Sequence, residues 1–138
     1  MKHATSAWWT SVATEHSRTE LIVENDSRLI RGVASVVVHV GERLGMPQGP
    51  LKDLTEAAEK TCLKSFPLIG NHNAALKVIV EDFPDRVEVT VEYPGLISAP
   101  TASSVTTGTR VDRVVHQSNG KRTRTTLVKF LPHTPAKF

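Results

Sequence analysis

The sequence predicts an α+β fold: a two-layer sandwich of a mostly antiparallel sheet with helices packed on one face. Three observations carry that expectation. Two amphipathic stretches at helical spacing follow one another between residues 26 and 66, two pairs of alternating strands come after them, and each pair is closed by a short polar turn. Strands that are neighbours in the chain and joined by short turns must run antiparallel, which leaves the two helices to cover a single face.

Residues 1–18 carry no sustained period, are rich in Ala, Ser and Thr and read as a flexible arm, with adjacent Trp8 and Trp9 as its exception. TELIVEN, Thr19 to Asn25, alternates as a short strand, and Asp26 or Ser27 can cap the helix that follows. In that helix Leu29, Ile30, Val33, Val37, Val40 and Leu44 recur at three- and four-residue steps, and Gly45 is its stop. ASVVVHV inside it has strand propensity, but a period sustained over about four turns outweighs local preference. MPQGP breaks the first helix and opens a second from Leu51 to about Phe66, ended by Pro67, with Leu54, Ala58, Cys62 and Phe66 as its buried stripe.

ALKVIVED and RVEVTVEY, joined by FPDR, form the clearest hairpin, each strand with one apolar face: Leu76, Val78 and Val80 in the first, Val87, Val89 and Val91 in the second. PGLISAPTASSVTTGT reads as loop with room for a short helix. VDRVVHQ and RTRTTLVKFL then flank a SNGK turn, so the domain spans 19–132 and residues 133–138 form a tail.

Composition bounds the function. With 138 residues, 39% hydrophobic and 22% charged, the chain is sized for one folded domain rather than a disordered or fibrous chain. The single Cys62 excludes an internal disulfide and a multi-cysteine metal site. No apolar run approaches the roughly 20 residues of a membrane span, and the first residues lack a signal-peptide pattern, so a cytoplasmic location away from membranes is expected. The six histidines are scattered singly, and GxxxxGK[ST], HExxH and GxSxG are absent, so no metal is expected. His39 lies off the helix stripe, and His72 sits in a loop near the second helix. The net charge of +3 is unevenly placed: from Arg110 onward seven Lys or Arg face only Asp112. Arg110, Arg113, Lys121, Arg122, Arg124 and Lys129 would serve a nucleic-acid-binding module, but they alternate with Thr and Val and lack neighbouring aromatics, the pattern of a solvated strand face.

DLTEAA, VEVTVEYPGLI and the closing RTTLVKFL, in that order and separation, make the region from about Thr19 to Leu131 resemble the anti-sigma-factor serine kinases, small bacterial members of the GHKL group with the histidine-kinase-like ATPase fold. In that family an ExxxN helix supplies a Glu that polarises the attacking group and an Asn that binds magnesium. The resemblance places Glu56 at the Glu and Lys60 at the Asn; an ammonium has no lone pair for a metal and at one helical turn is expected to pair with Glu56. It also places Tyr93, Gly95 and Ile97 at the family's adenine-reading DxGxG, and leaves only Gly108 where a glycine-rich lid belongs.

The resemblance with these departures implies a pseudokinase: a degenerate domain without Mg-ATP chemistry or other cofactor, acting in transcription regulation by sequestering a sigma factor or an antagonist protein of the partner-switching kind. It also implies a homodimer or partner face around Leu21, Val23, Ile30 and Val37. The alternative is an ATP-dependent protein serine/threonine kinase with ATP and Mg as cofactors, Glu56 as base and Lys60 as a direct phosphate contact.

Overall fold

The computed structural model describes residues 17–69, 75–94, 110–119 and 121–132. β1 spans Ser17–Val23, beginning two residues before the alternation predicts. A 3-10 turn at Ser27–Leu29 leads into α1, Ile30–Leu44; α2 is Gln48–Ser65, continued by a 3-10 turn at Phe66–Leu68. The remaining strands are β2 Leu76–Phe83, β3 Arg86–Pro94, β4 Arg113–Asn119 and β5 Arg122–Phe130. They form one sheet in the order β1-β2-β3-β5-β4, antiparallel at every pairing. The two helices pack on one face, which is the predicted two-layer sandwich of the histidine-kinase-like type.

Each local expectation has a visible physical outcome. Asp26 does cap, but it caps the 3-10 turn: its Oδ1 accepts the Arg28 N–H at 3.0 Å. α1 ends at Gly45 with φ 87°, a left-handed conformation that suits glycine, and the Met46 N–H returns to the Gly41 carbonyl at 2.9 Å. α2 starts three residues before the predicted Leu51, because Pro50 falls in the first turn, where its missing N–H costs no intrahelical bond. β2 and β3 meet through Pro84 and Asp85 alone, with Phe83 opposite Arg86.

The core lies between the layers. Val78, Val80, Val89 and Val91 are buried against Val33 and Val37 of α1 and Leu54 and Ala58 of α2. In register, Val78 faces Val91 and Val80 faces Val89, so both hairpin strands present their valines to the same side. The helices approach closely at Gly41, where an added methyl would overlap Leu51 Cδ1.

β1 is the weakly held edge: Val23 is its one buried residue, and Ile22 is 67% exposed. Its start is clamped by Asp82 of β2, whose Oδ1 accepts the Ser17 N–H at 2.7 Å and the Ser17 hydroxyl at 2.6 Å. Arg43 of α1 donates to Asp82 Oδ2 at 3.4 Å. Burial pushes the Asp82 carboxyl up, but these donors from Ser17 and Arg43 prevail and hold it below the ordinary carboxylate value. Of the partner-face residues expected from the resemblance, Val23, Ile30 and Val37 are core, and Leu21 packs half-buried against it; Ile22 and Leu29 are the exposed apolar neighbours.

Candidate functional site

Four-residue steps along α2 put Lys52, Glu56 and Lys60 on one exposed flank, away from the Leu54, Ala58 and Cys62 stripe that enters the core. That flank borders a cavity of about 540 Å³ lined by Gly49, Lys52, Asp53, Glu56, Ala57, Lys60 and Arg110. Arg110 comes from a different part of the chain and is held there by a brace on β5. The Lys129 ammonium donates to the Arg110 carbonyl at 3.0 Å and lies 3.8 Å from Asp53 and 3.9 Å from Asp112. Asp112 in turn accepts the Phe130 N–H at 2.7 Å. The wall of the cavity is therefore tied to α2 and to the sheet at once.

Glu56 and Lys60 are thus brought together at one cavity, but the ion pair expected between them is not among the contacts of the described residues. At helix spacing the pair is optional, since an exposed i,i+4 contact contributes only a few tenths of a kcal/mol against side-chain entropy. Among the described residues neither the Glu56 carboxylate nor the Lys60 ammonium has an ion-pair partner.

Tyr93 is separated from that flank. It ends the inner face of β3 opposite Thr123, is fully buried, and belongs to the core cluster. Burial raises its phenol pKa, and its hydroxyl has no hydrogen-bond partner among the described residues, a condition shared by the buried Thr61 hydroxyl of α2. Cys62, beside Thr61, has its thiol pushed up to about 12, first by burial and then by the negative charge of Glu59, which makes it an inert core residue. Gly95, Ile97, Gly108, His72, Trp8 and Trp9 lie outside the described residues.

Of the other basic residues singled out by the sequence, Arg113, Arg122 and Arg124 lie on the open face of the sheet, away from this cavity. Arg122 and Arg124 both bind Glu92 on the open face of the sheet, at 3.2 and 3.1 Å, and Arg113 lies over the Phe130 ring. Lys129 points to the helical face instead. His116 on β4 meets Thr125 Oγ1 at 3.0 Å, and burial lowers its pKa. Among the described residues no three His, Cys, Asp or Glu gather as a metal site, and no helix is long and apolar enough to cross a membrane.

Lys52 is a cavity residue that sequence reasoning missed, and Arg110 was singled out only as a nucleic-acid candidate, not as a neighbour of Glu56 and Lys60. Lys52 was legible, standing one helical turn before Glu56; the place of Arg110 was not, because only the fold brings it across from a position 58 residues beyond Lys52.

No family model and no curated protein matches the chain. Among solved structures, it is similar to the crystal structure of the RsbU and RsbW domains of Rv1364c from Mycobacterium tuberculosis. The likeness has a TM-score of 0.67 at 14% sequence identity and covers 88% of this chain and 34% of that one, so this chain spans about a third of its neighbour's length. At that identity the likeness is one of fold, and it agrees with the architecture above: two helices laid over a five-stranded antiparallel sheet.

Proposed function

We propose that this domain is a protein-binding regulator of the anti-sigma-factor type, acting by sequestration, in which the magnesium-nucleotide site of the fold has been lost. The observation that carries this reading is the complete burial of Tyr93 in the core, at the position where the resembling family reads adenine. A phenol filling that space competes directly with a base. Lys60 supports the same reading, because a charged amine cannot ligate a divalent ion. The fold likeness to a chain with an RsbW domain supports the regulatory class, with a sigma factor or an antagonist-type protein as partner. The exposed Ile22 and Leu29 beside the open edge of β1 are the surface offered to that partner or to a second copy.

The test compares unfolding midpoints in Mg-ATP and in magnesium pyrophosphate at equal millimolar concentration. The expected result is that adenosine adds nothing: the midpoint moves no further with Mg-ATP. A ligand present at 100 times its Kd would add about 2.7 kcal/mol, well within detection. A shift that needs both adenine and magnesium, together with phosphate transfer to a serine of a partner, overturns the reading. One observation favours this second, kinase reading: among the described residues Glu56 has no ion-pair partner at the rim of the cavity, as suits a base.

A further inference from the structure

Trp8 and Trp9 are the chain's two tryptophans, and the proposed function gives them no role. They lie outside the described residues, but the point at which their segment joins the fold does not. Ser17 opens β1, and Arg43, near the end of α1, donates to its hydroxyl at 2.8 Å. The segment therefore enters the sandwich at the end where α1 gives way to α2. At that end the two helices form a groove of about 540 Å³ with no strand residue in its wall, lined by Val38, Leu51 and Thr55 and bordered by Glu56 and Glu59. Val38 stands beside the α1 stripe that enters the core, not within it, and is only partly buried. The Thr55 hydroxyl donates to the Leu51 carbonyl at 2.8 Å, so it is already committed to the backbone. What the groove presents is mostly apolar surface with carboxylates along one side.

We propose that this groove is the docking site of the Trp8–Trp9 segment of the same chain. Reach permits it. Trp9 stands eight positions before Ser17, a length that spans up to about 26–29 Å when extended. From Arg43 back to Val38 is five residues of helix, a rise of about 7.5 Å. A tether so short holds the rings at an effective concentration of roughly millimolar, so a contact too weak to retain a free ligand suffices. The chemistry matches as well. An indole is a large apolar body with one N–H that needs an acceptor when it leaves water, and the carboxylates of Glu56 and Glu59 are acceptors at the groove's border. Ser6, Ala7, Thr10 and Ser11 beside the rings carry no charge, so that border repels nothing next to them. Once seated, the rings shield Glu56 from the α1 side, and the chain carries its own cover for that stretch of the helical layer. The inference is independent of nucleotide loss and of partner capture through β1.

The experiment is indole fluorescence of the full chain, which reports this segment alone because the chain holds no other tryptophan. In the parent, emission should be blue-shifted and acrylamide quenching reduced relative to the same chain unfolded in urea. Val38→Glu and Thr55→Glu each place a charge beneath the rings and should lower the docked-to-free ratio about tenfold, moving both readouts to the unfolded-chain values. Both positions are only partly buried, and the unfolding midpoint is measured alongside. If Val38→Glu does not fold, Thr55→Glu decides. Leu63→Glu, at an exposed apolar position further along α2, should change neither readout. Parent rings that already match the unfolded chain overturn the proposal, as does a docked signal that survives the groove substitutions or is abolished by Leu63→Glu. So does a signal that fades on dilution of the protein, since the rings would then sit on a second copy.

Discussion

Two regions along α2, one around Thr61 and Cys62 and one around Lys52 and Asp53, meet the sheet by opposite means. Toward its C-terminus Thr61, Cys62 and Ser65 are sealed in the core, as is Tyr93 at the end of β3, and the Thr61 and Tyr93 hydroxyls have no partner among the described residues. Toward its N-terminus Lys52 and Asp53 border an open cavity, and the link to β5 is a lysine reaching two carboxylates and a carbonyl. A nucleotide cradle must be open at both places, one for the base and one for the phosphates. Among the described residues, the charged region borders a cavity, whereas the region around Tyr93 is packed.

Substitutions at each place measure that difference. The largest effect is expected from Tyr93→Ala, which removes a fully buried aromatic and should cost about 3–5 kcal/mol in urea unfolding. It should also speed labelling of Cys62, whose thiol, pushed up to about 12, reacts at pH 8 only when that region opens. Tyr93→Phe, by contrast, should be neutral or slightly stabilising, because it deletes a hydroxyl with no partner among the described residues. A loss above about 1.5 kcal/mol there would reveal a hidden partner and break the account of a sealed core.

Next is Asp82→Ala, which tests the clamp on β1 rather than either region of α2. It should cost about 2 kcal/mol at pH 7, since a part-buried carboxylate loses Ser17 and Arg43. The folded-state pKa is depressed, so this stability is fully present above the unfolded value of about 4 and is lost as pH falls through the folded value. The gap between parent and variant should therefore close in acid, and a gap that persists at low pH would point to packing instead. Lys129→Met should cost about 1 kcal/mol or less, because both of its carboxylate partners are partly hydrated. If it rivals Tyr93→Ala, the charged region is a structural core and not an open site. Lys60→Ala should lie within about 0.5 kcal/mol of the parent, as an exposed side chain without an ion-pair partner among the described residues.

What the sequence disclosed followed from periodicity. The α1 stripe was readable through its β-prone valines because Val33, Val37 and Val40 all needed the same face, and burial of that face outweighed propensity. Gly45 and the two hairpins were readable for equally local reasons. The strand order was not: β5 lies between β3 and β4, a choice made by long-range pairing that leaves no local trace. The site divided in the same way. Glu56 and Lys60 share a helix flank and could be placed from spacing, whereas Arg110 and the Lys129 brace depend on how the last hairpin docks under α2. The free state of Glu56 was also hidden, because spacing shows which groups can meet and not whether solvent separates them.

Gly41 has a bearing on how such a chain can vary. Because a single methyl there would overlap Leu51, the spacing of the helical layer is set jointly by two residues ten positions apart. In diverging sequences of this fold, any side chain gained at the first should be matched by atoms lost at the second. A chain that grew at both would have to spread its helices and thin the contact with the sheet beneath.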